Sequence, residues 1–135
     1  MDRDDFHKLA RRWVKEGIEQ CRVEVFDELL AEGVIDHSAL VPTVGSAAFK
    51  ARTRAVHAVL RDLEVAVADV IAEGDKIAWR WVLSGTHHGP FLGIAPTGRR
   101  VTLAGMNIQR LTSGRVAEHW SIADQFGLFH QLKAP

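Results

Sequence analysis

The chain of 135 residues holds one cysteine, Cys21, and no tyrosine. A lone cysteine cannot close an internal disulfide. Nowhere do about 18 apolar residues run together, which excludes a membrane-spanning helix. The start, MDRDDFHKLARRW, is charged where a secretory signal needs an apolar stretch; with the cysteine usage, this predicts a cytoplasmic protein. An excess of charge is also missing. Seventeen basic side chains are matched by seventeen acidic ones, so nothing draws the chain to nucleic acid or to an anionic membrane, and a small or neutral partner is expected. Neither repeats nor low-complexity linkers interrupt it. One domain over residues 1–135 is expected, hiding roughly 65–70% of the surface of the unfolded chain.

What is present changes period midway. Phe6, Leu9, Ala10, Trp13, Val14, Gly17 and Ile18 recur at three- and four-residue intervals and mark one face of a first helix. Val25, Phe26, Leu29 and Leu30 repeat the pattern in a shorter helix that stops near Gly33. VIDHS reads as a brief strand and loop. Ser46 then suits the N-cap of a third helix with Phe49, Val56, Val59, Leu60 and Leu63 on one side.

From Glu64 the sequence reads as strands. EVAVADVIAEGDK is β-branched and ends in turn chemistry, KIAWRWVLSGTHH alternates, and GRRVTLAGMNIQRLTSGRVAEHWSIAD forms two strands joined at Thr112-Ser113-Gly114. Three helices followed by antiparallel strands predict an α+β fold, with the helices on one face of a strongly curved sheet and room for a cavity between. VTLAGMNI is apolar on both faces, whereas an antiparallel sheet normally leaves one face wet. A second subunit is expected to cover it, as a homodimer.

Several residues carry chemistry. On a regular last strand Glu118, Trp120, Ile122 and Asp124 share a face, so Asp124 would project beside Trp120 into an apolar site that raises its proton affinity. It could equally cap the segment that follows. Adjacent strand residues point to opposite faces, so His87 and His88 cannot chelate one metal, and no metal is expected. His87 shares parity with Trp79, Trp81 and Leu83 and could face the cavity, with Trp81 as wall or as core filling. His119, opposite in parity to Asp124, is assigned to the outer face or a subunit contact. Arg99-Arg100 reads as a solvated turn.

GTHHGPFLGIAPTGRRV and GRVAEHWSIADQFGLFHQL together resemble the SnoaL-like polyketide cyclase family, within the nuclear transport factor 2-like superfamily. The resemblance rests on Gly85-Thr86-His87, Phe91-Leu92-Gly93, Pro96-Thr97-Gly98, Gly105, Arg110, Glu118-His119-Trp120, Asp124 and Gly127-Leu128, with Asp36-His37 agreeing more loosely. It implies a cone-shaped α+β barrel around an apolar pocket, with no metal or organic cofactor. The implied chemistry is acid/base: intramolecular aldol ring closure, or a related proton transfer, on an apolar carbonyl compound such as a polyketide. By motif position Asp124 is the acid/base. Asn107 and Gln109 stand where the family has assisting polar groups, often including a histidine. His37, His87, Trp81 and Trp120 complete the expected substrate-binding set, His37 as a donor to a developing enolate or as an ordinary loop histidine. A ketosteroid-isomerase-type site holds its oxyanion with a tyrosine, which this chain lacks. A rival from another class is a non-catalytic small-molecule-binding or dimerisation module of the same fold.

Overall fold

A computed structural model describes residues 1–135. Helix α1 (Arg3–Arg12) starts on a reciprocal cap: the Asp2 carboxylate accepts the Asp5 N–H, and the Asp5 carboxylate accepts the Asp2 N–H, each at 3.0 Å. The helix continues as a wider π-helical segment, Trp13–Glu19, which carries Trp13, Val14 and Gly17 inward. At Gly17 an added Cβ would press on the Phe26 ring, so glycine lets α2 (Val25–Leu29) pack close.

The second helix is shorter than its apolar spacing predicts. Leu30 opens strand β1 (Leu30–Asp36), and Gly33, expected just past a helix end, lies within that strand at φ +73°. After the two-residue strand β2 (Thr43–Val44) comes α3 (Ala47–Val59). Ser46 is the N-cap residue as expected, but its side chain accepts no helix N–H; the hydroxyl donates instead to Asp27 Oδ1 at 3.2 Å. Leu60 and Leu63, placed on α3 by spacing, belong to β3 (Leu60–Glu73), because pairing of Leu60 with His87 in β4 (Lys76–His87) extends the strand. Strand pairing outweighs helical period here.

Strands β5 (Arg100–Thr112) and β6 (Arg115–Ala123) form the expected hairpin, with Ser113 at φ 50° and Gly114 at φ 76° supplying its two-residue turn. A fourth helix, α4 (Gln125–Lys133), follows β6. The six strands run in the order β2-β1-β6-β5-β4-β3, antiparallel throughout except for the parallel β1–β6 pair. The sheet curls without closing into a barrel. Register shifts in β3 near Arg61/Glu64 and Val67/Asp69 are bulges that sharpen the bend. α1 and its π-helical extension, α2 and α3 cover the concave face, where Trp13, Phe26, Phe49 and Trp79 meet edge-on or tilted in the core. This is the predicted α+β arrangement.

Candidate functional site

Between the helices and the concave sheet lies a cavity of about 360 Å³. Thirteen of its twenty wall residues are apolar, which suits a ligand with a large apolar body and few polar groups. The exposed wall residues Arg52 and Gln125 mark where it opens. The buried polar part of the wall, its pole, is formed by Asn107, 4% exposed, and His119, 2% exposed.

Two tryptophans from β4 hold this pole. Trp79 Nε1–H donates to Gln109 Oε1 at 3.1 Å, and Trp81 Nε1–H donates to Asn107 Oδ1 at 3.1 Å. Trp79 pairs directly with Asn107 and Trp81 with Gly105, so each indole reaches diagonally to the amide two residues further along β5. Gly105 is required for this, since a Cβ there would collide with the Trp81 ring. Gln109 Nε2 lies 3.0 Å from His119 Nδ1, and the imidazole stacks on Trp13 with ring centres 5.1 Å apart. Burial pushes the His119 pKa down to about 4; the Asp36 carboxylate opposes this and Arg52 adds to it. The imidazole is neutral at physiological pH.

Asp36 sits beside this pole, since it pairs with His119 across the parallel β1–β6 ladder. Burial alone would raise its carboxyl pKa, but Ser38, whose backbone N–H donates at 2.9 Å, and Arg52, at 2.8 Å, hold it below the usual range. Arg52 also lies over the Phe49 ring, 5.1 Å from its centre. Asp36 therefore anchors Arg52 beside the cavity as an ion pair.

Residues 8–132 match the sequence pattern of the SnoaL-like polyketide cyclases. The chain belongs to this family. No curated protein matches it. Among solved structures, TsrD from Streptomyces laurentii is 28% identical, with a TM-score of 0.87 over 100% of this chain and 99% of that one. A proposed SnoaL-like polyketide cyclase from Jannaschia Sp. CCS1 is 26% identical, with a TM-score of 0.83 over 100% and 99%. IdmH from Streptomyces antibioticus, a proposed polyketide cyclase, is 29% identical, with a TM-score of 0.77 over 88% and 92%. These structures share the nuclear transport factor 2-like fold described above.

Within this SnoaL-like domain, the side chains expected at the cavity divide. Asn107 and Trp81 line it, while Gln109, fully buried, stands behind His119. Trp120, His37, His87 and Asp124 do not line it. Trp120 stacks on His37, ring centres 5.0 Å apart, on the outer side of the sheet. His37 Nε2 there meets Glu118 at 2.8 Å; Arg110, also at 2.8 Å, and His37 lower the Glu118 pKa. His87 is buried beneath the loop that follows it, accepting the Thr97 N–H at Nδ1 over 3.1 Å. Asp124 is exposed and caps α4, its Oδ1 accepting the Gly127 N–H at 2.8 Å. Its neighbours Ala123 and Gln125 are wall residues.

One bulge accounts for the exchange of faces on β6. Regular pairing from the Thr112–Arg115 hairpin would set Asn107 opposite Trp120 and Gln109 opposite Glu118. Between Arg110 and Leu111 the register slips at Ala117, so Asn107 meets Ser121 and Gln109 meets His119. A slip of one residue moves every later side chain to the other face. His119, read from the sequence as an outer residue, thus becomes the inner one. The detectable signal is the matched spacing of Trp79-Arg80-Trp81 and Asn107-Ile108-Gln109, two indole donors facing two amides.

Proposed function

We propose that this SnoaL-like protein is a cofactor-independent acid/base enzyme that binds an apolar carbonyl compound in the cavity and stabilises its enolate. The observation that carries this is the pairing of a neutral imidazole with a tryptophan-oriented amide at the buried pole of an otherwise apolar chamber. Donors fixed in a dry site stabilise a developing oxyanion without reorganising at the moment of reaction. Asn107 and His119 would receive the carbonyl oxygen, and Trp81 and Leu103 would flank the apolar body. The reaction class is intramolecular aldol closure or a related transfer of a carbon-bound proton, on a polyketide-like substrate. In this reading the proton acceptor is Asp124 at the rim, whose Oδ1 is engaged in the cap and whose Oδ2 makes no hydrogen bond.

The second reading is a binding module without turnover, favoured by the exposure of Asp124 and its use as a helix cap. One experiment separates them: deuterium exchange at C1 of 2-tetralone, a flat apolar ketone, followed by NMR in D2O. Enzymatic acceleration that falls about 10²–10⁴-fold in Asp124→Asn supports the acid/base reading. Quenching of tryptophan fluorescence by 2-tetralone without any accelerated exchange supports the binding module.

The partner of the convex face is a second copy of the chain. Met106 and Ile108 on β5 and Ile122 on β6 are 54%, 47% and 79% exposed, and they adjoin because Met106 pairs with Ile122 and Ile108 with Trp120. A contiguous apolar face of this kind on a sheet is the usual mark of an interaction surface.

A further inference from the structure

The hydrogen bonds behind the pole decide which imidazole nitrogen carries the proton. An indole N–H can only donate, so the oxygen of the Gln109 amide must be the end that faces Trp79. The other end is then the NH2 group, and it lies 3.0 Å from His119 Nδ1. A nitrogen that accepts from an amide NH2 is unprotonated. The ring is neutral, so its proton is on Nε2, which makes no hydrogen bond within the protein although the ring lines the cavity. The same logic acts next door. Trp81 holds Oδ1 of Asn107 and leaves its NH2 without a protein partner.

We propose that Trp79 and Gln109 are positioning residues that lock His119 in its Nε2–H form, so that the pole of the cavity offers only N–H donors and selects a ligand presenting an acceptor oxygen, a ketone or its enolate. The lock follows from the hydrogen-bond geometry alone; only the selectivity rests on the enolate-binding reading above. Without the Trp79 N–H the amide could turn over, offer its oxygen to Nδ1–H, and expose a bare Nε2 to the cavity. The pole would then hold one donor and one acceptor, and an enolate oxygen would meet a lone pair. Asp36 from β1 and Arg52 from α3 are the charged groups beside the ring, and neither touches Nδ1.

Long-range 1H–15N correlation spectra of the 15N-labelled, ligand-free protein test the lock, with the His119 signals assigned by their loss in His119→Gln. The wild type should show a pyrrole-type Nε2 and a pyridine-type Nδ1 at pH 7. Trp79→Phe keeps an aromatic ring in the core but has no N–H, and its His119 nitrogens should move toward each other as the second tautomer becomes populated. If that variant fails to fold, Gln109→Met, which removes the donor to Nδ1, should give the same movement. A purely structural role for Trp79 would change stability and leave the nitrogen signals in place. A protonated Nδ1 in the wild type, or signals unchanged in the variant that folds, would overturn the lock. The selectivity is tested apart from it, with 2-naphthol: binding should be tighter for the naphtholate than for naphthol in the wild type and should lose about tenfold of that preference in the variant. An intact lock with no preference for the naphtholate would overturn the selectivity alone.

Discussion

Trp81 reaches diagonally across the β4–β5 ladder to place its indole N–H 3.1 Å from Asn107 Oδ1, over the bare backbone of Gly105. The contact needs three residues at once: a donor-only ring, an amide to be oriented, and a glycine that leaves space for the ring to lie across the strand. It also defines a vulnerable point.

Gly105→Ala should displace Trp81, since no rotamer adjustment of a methyl can avoid the ring. Overpacking of this kind costs about 1–3 kcal/mol. Urea denaturation should show the loss, and 2-tetralone binding should weaken with it, because the displaced indole no longer holds Asn107.

Stability should fall with acid before the carboxylates titrate. His119 has a folded pKa of about 4 against 6.5 for the ordinary side chain, so the unfolded chain takes up the proton first. Its contribution is fully present above pH 6.5 and is lost as pH falls through 4, by an amount on the order of 3 kcal/mol. The neighbouring Asp36, whose pKa lies below 3.8, titrates beneath that window. Chemical denaturation of wild type and His119→Gln between pH 7 and 5, above the carboxylate range, should show the steeper loss in the wild type.

Asp124 should behave as a cap toward stability whatever its part in turnover. Asp124→Ala loses the bond to the Gly127 N–H and should cost about 1 kcal/mol, whereas Asp124→Asn keeps it and should cost only a few tenths. Thermal denaturation of the two variants should rank them in that order.

Ile108→Asp on the convex face should separate a dimer into monomers without altering the cavity. Light scattering at micromolar concentration reads the change, and a wild type that is already monomeric would contradict the assigned partner. A stable interface there needs about 1,000 Å² or more of total buried area.

The general architecture was legible because the period of the apolar residues changes from three-and-four to two near Glu64, and because Ser113-Gly114 is an unambiguous hairpin turn. The ends of elements were less so. Leu60 and Leu63 continue a helical stripe, yet pairing with β4 takes them into a strand. That Asn107 and Trp81 line the cavity was legible from alternation and family motif. His119 was not, since an inward or outward position on β6 depends on a single extra residue, Ala117, and nothing in its local sequence announces the bulge. The same slip put Trp120 outside, where it stacks on His37 and Glu118 joins His37 to Arg110.

The central claim is that the buried pole stabilises an oxyanion, and the ionisation of bound 2-naphthol measures this most directly. Ultraviolet absorbance distinguishes naphthol from naphtholate, and saturation is followed by quenching of tryptophan fluorescence. Two neutral donors in a dry site should lower the apparent pKa of the bound compound by about 1–2 pH units relative to water, and Asn107→Leu should remove much of the effect. Bound naphthol that ionises at the same pH as in water, or at a higher one, would contradict the account.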